Sequence, residues 1–252
     1  MRGRARPSAT AACASLALIA ATGCGNTTLD LFDPDLGLLA HWAFDESEAG
    51  SVVADSSGFG LHATPAASAP TPTRDVPPVR FPNPYSLTFN GQDQWVNAGN
   101  PPLLNAGGAI SIAAWVRATD IDGYHNILAH GFRNDPNHEV SLRINGRNYE
   151  FTYWNSIDHV ASAPIAVADV GTWVHLCGTF DASEYRIYRN GALAASRPDT
   201  TAAPPNIDVP WAIGARAPQP DSPERLFQGQ LDDLRFYGRA LSAGEVEALY
   251  RR

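Results

Sequence analysis

Residues 139–154 read Glu139-Val140-Ser141-Leu142-Arg143-Ile144-Asn145-Gly146-Arg147-Asn148-Tyr149-Glu150-Phe151-Thr152-Tyr153-Trp154. Val140, Leu142 and Ile144 alternate with Glu139, Ser141 and Arg143, the period of two of a strand with one apolar face. Across the turn, Tyr149, Phe151 and Tyr153 share a face and Trp154 points the other way. Asn145-Gly146 supplies the positive φ values of a tight hairpin. The segment predicts two paired antiparallel strands, Glu139–Ile144 and Asn148–Trp154.

The same grammar runs outward from that hairpin. Asn90-Gly91 is expected to join Tyr85–Phe89 to Gln94–Ala98. Asn190-Gly191 is expected to join Tyr185–Arg189 to Ala192–Ser196. Ile110, Ile112, Ala114 and Val116 repeat with period two, and Leu38–Phe44, His125–Phe132, Trp173–Phe180, Trp211–Ala215 and Phe227–Tyr237 read as further strands. Residues 63–84 hold seven prolines and read as an irregular loop, as do 198–210 and 216–225. One helix is expected, at the C-terminus. Ser242-Ala243-Gly244-Glu245 fits a capping box, and Val246, Leu249 and Tyr250 then share a face. Roughly a dozen short strands predict an all-β domain of two packed antiparallel sheets over 38–252.

Composition narrows the classes. The 252 residues are 44% hydrophobic and 17% charged, a globular and not a disordered balance. All 18 basic residues are Arg, against 26 acidic ones, and a net charge of −8 argues against a nucleic-acid partner. Three Cys are too few for a disulfide framework.

The N-terminus reads as an address. Arg2, Arg4 and Arg6 precede the apolar stretch Ala9–Ala21, which is too short to span a bilayer. Residues 1–23 are therefore expected to be an export signal. Ala21-Thr22-Gly23-Cys24 resembles the lipobox of bacterial lipoproteins. That resemblance implies lipid on Cys24, a tether over 24–37, and a membrane-anchored lipoprotein of the bacterial cell envelope, with plain secretion as the alternative. Cys177 would then be a lone, buried hydrophobe.

Four segments together resemble the laminin-G-like, concanavalin A-like jelly-roll modules of bacterial surface proteins. They are His41–Glu46 with Asp55–His62; Leu87–Gly91 with Ile110–Val116; Trp173–Asp181 running into Tyr188–Gly191; and Phe227–Tyr237 with Arg239–Ser242 and Glu245. The resemblance implies a two-sheet antiparallel jelly roll. It also implies that the first and last strands lie side by side, bringing Asp45 and Glu46 near Asp232 and Asp233. Related modules hold a structural calcium with an acidic residue just before the last strand. Asp45, Asp55, Asp232 and Asp233 are the candidate ligands, as hard oxygen donors. The alternative is that these residues cap turns or pair with Arg235 or Arg239.

Enzyme signatures are absent from the sequence. No strand carries the Glu-x-Asp-x-(x)-Glu run of related glycosidases, and Glu139, Glu150 and Glu184 lie apart on separate strands. There is no Gly-x-Ser-x-Gly elbow and no His-Glu-x-x-His motif. The aromatic residues carry a sharper expectation. Sugar rings stack their CH faces on indole and phenol rings while polar side chains take the hydroxyls. Trp154, Tyr153, Asn155, Asp158, Tyr124 and Arg133 are the candidate ligand residues. Trp42, Trp115 and Trp173 are expected in the core, and Trp211 nearer the loops. The leading expectation is a non-catalytic, surface-displayed module that binds a glycan or polysaccharide. A domain that adheres to an envelope or extracellular protein is the alternative. A glycosidase or lyase with dispersed catalytic residues stands behind both.

Overall fold

Alternating side chains build fifteen strands among the described residues. The structure, a computed structural model, describes residues 33–105, 107–131, 138–202, 207–217 and 222–252, all within one compact unit. In chain order the strands are β1 (Leu38–Trp42), β2 (Thr64–Pro65), β3 (Thr71–Thr73), β4 (Ser86–Asn90), β5 (Val96–Asn97), β6 (Ile110–Ala118), β7 (Tyr124–Gly131) and β8 (Glu139–Asn145). They continue as β9 (Asn148–Trp154), β10 (Asp158–Pro164), β11 (Val174–Phe180), β12 (Glu184–Arg189), β13 (Ala192–Pro198), β14 (Trp211–Ile213) and β15 (Gln228–Tyr237). One helix, α1 (Ala243–Tyr250), follows. Among the described residues no helix is long and apolar enough to cross a membrane.

The strands form two antiparallel sheets. One runs β13-β12-β11-β6-β15-β4-β3 with β1 also on β15; the other runs β10-β9-β8-β7-β14-β5-β2. This is the two-sheet sandwich that the alternation predicts. Trp42, Phe89, Ile112, Leu142, Phe151, Leu176 and Phe236 meet between the sheets. Gly178 on β11 is the point of closest approach: a Cβ there would lie 2.2 Å from Phe151 Cγ. The outer face of the eight-stranded sheet is covered in part by α1, whose Val246 and Leu249 pack on Cys177, Ala113 and Tyr237. The helix begins with the expected box: Ser242 Oγ accepts from Glu245 N–H, and Glu245 accepts from Ser242 N–H.

β1 pairs with β15, so the first and last strands do lie side by side. β15 changes neighbours along its length. Residues 228–231 pair with β4 and residues 234–237 with β1, while the register with β6 shifts between Asp232 and Arg235. Asp233 takes a positive φ of 47° at this bulge. Two adjacent aspartates are thereby turned into the sheet, with Asp232 at 0% and Asp233 at 5% exposure.

Several expectations change. Asn90-Gly91 does not close a hairpin, because β4 and β5 belong to different sheets. Asn90 Oδ1 instead accepts from the N–H groups of Gln92 and Asp93, turning the chain across the sandwich. β10, whose Ala161 and Ala163 face the core, was not legible in a run of small side chains. Two short strands, β2 and β3, occur inside the proline-rich stretch. Of the three tryptophans expected in the core, only Trp42 lies between the sheets. Trp115 is buried as expected, at 3% exposure, but on the outer face of its sheet, its ring 5.4 Å from His175 and 5.7 Å from Tyr250. Trp173 is half-buried, and its indole N–H donates to Asp75 at 3.2 Å. Trp211 is core, stacked on His130 at 4.5 Å.

Candidate functional site

The outer face of the seven-stranded sheet carries the densest polar chemistry. Alternation puts Glu139, Ser141 and Arg143 of β8 on that face, with Glu150, Thr152 and Trp154 of β9. Pairing sets Arg143 opposite Glu150, Ser141 opposite Thr152 and Glu139 opposite Trp154, while Asp158 of β10 stands opposite Trp154 from the other side. From the neighbouring edge, Asn126 of β7 faces Arg143. Residues 214–217 and 222–227, between β14 and β15, fold over this face and are called the strap. Arg216 and Glu224 bond reciprocally through their backbones, and Asn126 N–H donates to the Arg225 carbonyl at 2.8 Å.

Tyr124, Glu139, Arg143, Trp154, Asp158 and Arg225 line a cavity of about 160 Å³ between strap and sheet. Glu139 is its anchor, only 1% exposed. Arg216 Nη1 donates to it at 3.0 Å, Arg225 Nη1 reaches both its oxygens at 3.2 Å, and Arg143 stands 3.8 Å away. Burial alone would raise the Glu139 carboxyl, but Arg225, Arg143 and Arg216 outweigh it and hold the group below its ordinary value. Burial pulls Arg225 down from its own ordinary value. Its guanidinium carbon sits 4.3 Å from the centre of the Tyr124 ring, a cation–π contact. Arg143 also pairs with Glu150 at 2.8 Å and Asp158 at 3.4 Å.

The six candidate ligand residues fall out unequally. Trp154, Asp158 and Tyr124 line the cavity. Tyr153 does not: it is one residue out of phase, faces the core at 3% exposure, and its phenol bonds His138 Nδ1 at 2.7 Å. Asn155 stands in the β9–β10 turn, its amide oxygen 3.1 Å from His159 Nε2. Arg133, with the rest of 132–137, lies outside the described residues. Glu139, Arg143 and Arg225 line the cavity and were not among the candidates. The Asn-Gly hairpin register carries a signal for the first two, since it sets Arg143 opposite Glu150 and Glu139 opposite Trp154. Arg225 comes from a proline-rich loop with no periodic signal.

The acidic candidates for a metal gather on the opposite sheet. Asp55 is filled by protein donors: Oδ1 accepts from His41 and Ser57 N–H, and Oδ2 from Leu61 N–H and Ser57 Oγ. Burial would raise this carboxyl, but those bonds hold it low. Asp233 accepts from His41 Nε2 at 2.6 Å and Arg235 Nη2 at 2.9 Å. Burial works against its ionised form, but these partners bring it down to about 2. Asp45 and Asp232 differ, and among the described residues no arginine pairs with either. Burial pushes Asp232 up to about 8, with Asp233 and Asp45 adding repulsion. Burial raises Asp45 too, with Glu46 and Asp233 adding to it. Glu46 Oε2 is buried with no hydrogen-bond partner among the described residues. These three carboxylates fit the donor chemistry of a hard divalent cation. Among the described residues no three His, Cys, Asp or Glu side chains already converge on one ion position.

Known proteins share this architecture. A family model described as the concanavalin A-like lectin/glucanases superfamily matches residues 90–247. The human pentraxin-related protein PTX3 is 28% identical over 90 residues, 35% of this chain and 23% of that protein. The chain thus spans under a quarter of the length of that curated relative. Domain 4 of AbnA, an extracellular GH43 arabinanase of Geobacillus stearothermophilus solved with arabinotriose, superposes with a TM-score of 0.67 at 21% identity, covering 85% of this chain and 98% of that one. The binding domain of botulinum neurotoxin DC, solved with SialylT, gives 0.61 at 14% identity, covering 86% and 51%. At these identities the two solved structures share a fold with the chain.

Proposed function

From a chain that belongs to the concanavalin A-like lectin/glucanase superfamily, we propose a non-catalytic glycan-binding module that uses the cavity between the strap and the seven-stranded sheet. One observation carries the reading. An indole, a phenol, and side chains of both charges line a single cavity of about 160 Å³. That volume suits one sugar unit, the rings offering CH-stacking faces and the charged groups taking hydroxyls. Catalysis is the weaker reading. Glycoside hydrolysis needs one carboxyl kept protonated as the acid. Glu139, the most enclosed carboxyl of the cavity, is pulled the opposite way by three arginines.

The test is binding of the purified full-length chain to a broad glycan array, with calcium and again with EDTA. Arabinotriose, present in the arabinanase domain of the same fold, is a rational member. Saturable binding that falls at least about tenfold in a folded Trp154→Ala protein is expected, the scale of losing one stacked ring. Silence across the array by a folded sample would sink the reading. A calcium ion held between Asp45 and Asp232, whose carboxyls repel one another, belongs to the same proposal, as a structural tie between the segment after the first strand and the last strand. EDTA should then lower the melting temperature, and unchanged melting removes the ion. Export behind residues 1–23 with lipid on Cys24 is also proposed, and the mass of the mature N-terminus decides it.

Adhesion to a protein is a second reading, favoured by Ile157. This side chain is 65% exposed in the turn between Trp154 and Asp158, at the rim of the same cavity. An exposed aliphatic at a site rim suits a protein surface better than a polyol.

A further inference from the structure

The charges around Glu139 narrow the ligand's chemical class. Resting on the reading of the cavity as a glycan site, we propose that it takes uncharged sugars and rejects uronate- or sulfate-bearing ones, with Glu139 and Asp158 setting that preference.

Every guanidinium at the cavity already has a carboxylate. Arg143 is shared among Glu150, Glu139 and Asp158. Arg216 bridges Glu139 and Glu224. Arg225 holds Glu139 and lies over Tyr124. Among the described residues, the four carboxylates Glu139, Glu150, Asp158 and Glu224 face the three guanidiniums Arg143, Arg216 and Arg225, an excess of one negative charge. The excess is presented outward. The Asp158 side chain is 52% exposed, against 4% for Arg143 and 1% for Glu139. An anionic sugar would meet Asp158 first. To gain an ion pair it would have to draw an arginine from a buried carboxylate, leaving that charge without its partner. A neutral sugar faces neither cost. Two adjacent hydroxyls can donate to the two oxygens of Asp158, and guanidinium N–H groups can donate to ring or hydroxyl oxygens while keeping their present partners.

Glu139 matters because it absorbs the charge of three arginines at once. Glu139→Gln removes that sink and brings the described cluster to neutrality. Rejecting the wrong ligand through charge is specificity by repulsion, and it is reversible by substitution.

The test uses the full-length protein on an array of neutral oligosaccharides, each printed beside its C6-oxidised uronate counterpart. Binding of neutral members alone is expected, changing less than about twofold between roughly 50 and 500 mM NaCl, because no net charge is exchanged. In Glu139→Gln the ratio of uronate to neutral affinity should rise about tenfold. Asp158→Asn, at an exposed position with little bearing on folding, should move the same ratio upward about fivefold and decides the matter if Glu139→Gln does not fold. Uronate binding preferred by the unaltered protein, or a ratio unmoved in the folded variants, overturns the inference and leaves the glycan reading standing. Binding to neither member of any pair overturns the glycan reading, and the inference falls with it.

Discussion

Gly178 shows how a single missing carbon holds the sandwich closed. Phe151 projects from β9 into the space where a β11 side chain would begin, with the nearest ring atom 2.2 Å from the Cβ position. Gly178→Ala should therefore cost about 3 kcal/mol of unfolding free energy, the upper end of overpacking penalties, read by urea denaturation. Restoring most of the loss in a Gly178→Ala/Phe151→Leu double variant would confirm that the ring is the obstacle. An undisturbed single variant would mean that the sheets part easily here. At this scale the sequence was readable by phase. The outward positions of Glu139, Arg143 and Trp154 and the inward positions of Val140, Leu142 and Phe151 follow from parity alone. Tyr153 is the instructive failure. It is a candidate beside Trp154, yet one step along a strand reverses the face, and Tyr153 turns into the core.

Element by element, what could be read depended on whether the information was local. The capping box of α1 is local, and it formed. Ser242→Ala should lower stability by about 1 kcal/mol, seen as a fall of a few degrees in melting temperature, because the Glu245 N–H loses its acceptor. A variant melting like the parent would place the helix outside the cooperative unit. The three Asn-Gly pairs separate local from non-local information further. Asn190 and Gly191 both take positive φ, and Arg189 pairs with Ala192. In the second, Gly146 and Arg147 carry the positive angles and Asn145 pairs with Asn148, so the turn sits one residue later than the dipeptide suggests. The third, Asn90-Gly91, turns between sheets. The same dipeptide serves all three, and only the partners of the flanking strands decide among them. The strap bearing Arg216 and Arg225 was illegible for a related reason. Arg216 and Arg225 are held there by Glu139 and by the Asn126 N–H, both far away in sequence, and not by any period of their own.

For the molecule as a whole, buried titrating groups predict a stability optimum in pH. Burial brings His130 and His175 down to about 4, against about 6.5 in an unfolded chain. Between those values the unfolded state binds protons that the native state refuses, so stability falls as pH drops from about 6.5 toward 4. Asp232 has the opposite sign. Burial raises it to about 8, so the native state holds a proton that the unfolded state has released, and stability falls as pH rises from about 4 toward 8. Two histidines against one aspartate leave a rising limb up to about pH 6.5 and a falling limb above it. Urea midpoints across that range, taken in EDTA, check the curve; a profile still climbing at pH 8 would refute the protonated Asp232. The sheet order has a different consequence, in time instead of energy. β15 lies inside its sheet, flanked by β6 on one side and by β4 and β1 on the other. β15 is thus the strand that the earlier strands of its sheet must wait for. While a ribosome is still adding residues before 228, β1 has no edge to join and β6 lacks one neighbour. A nascent domain of this design stays open until residues 228–237 have been made, a delay set by the order of its strands.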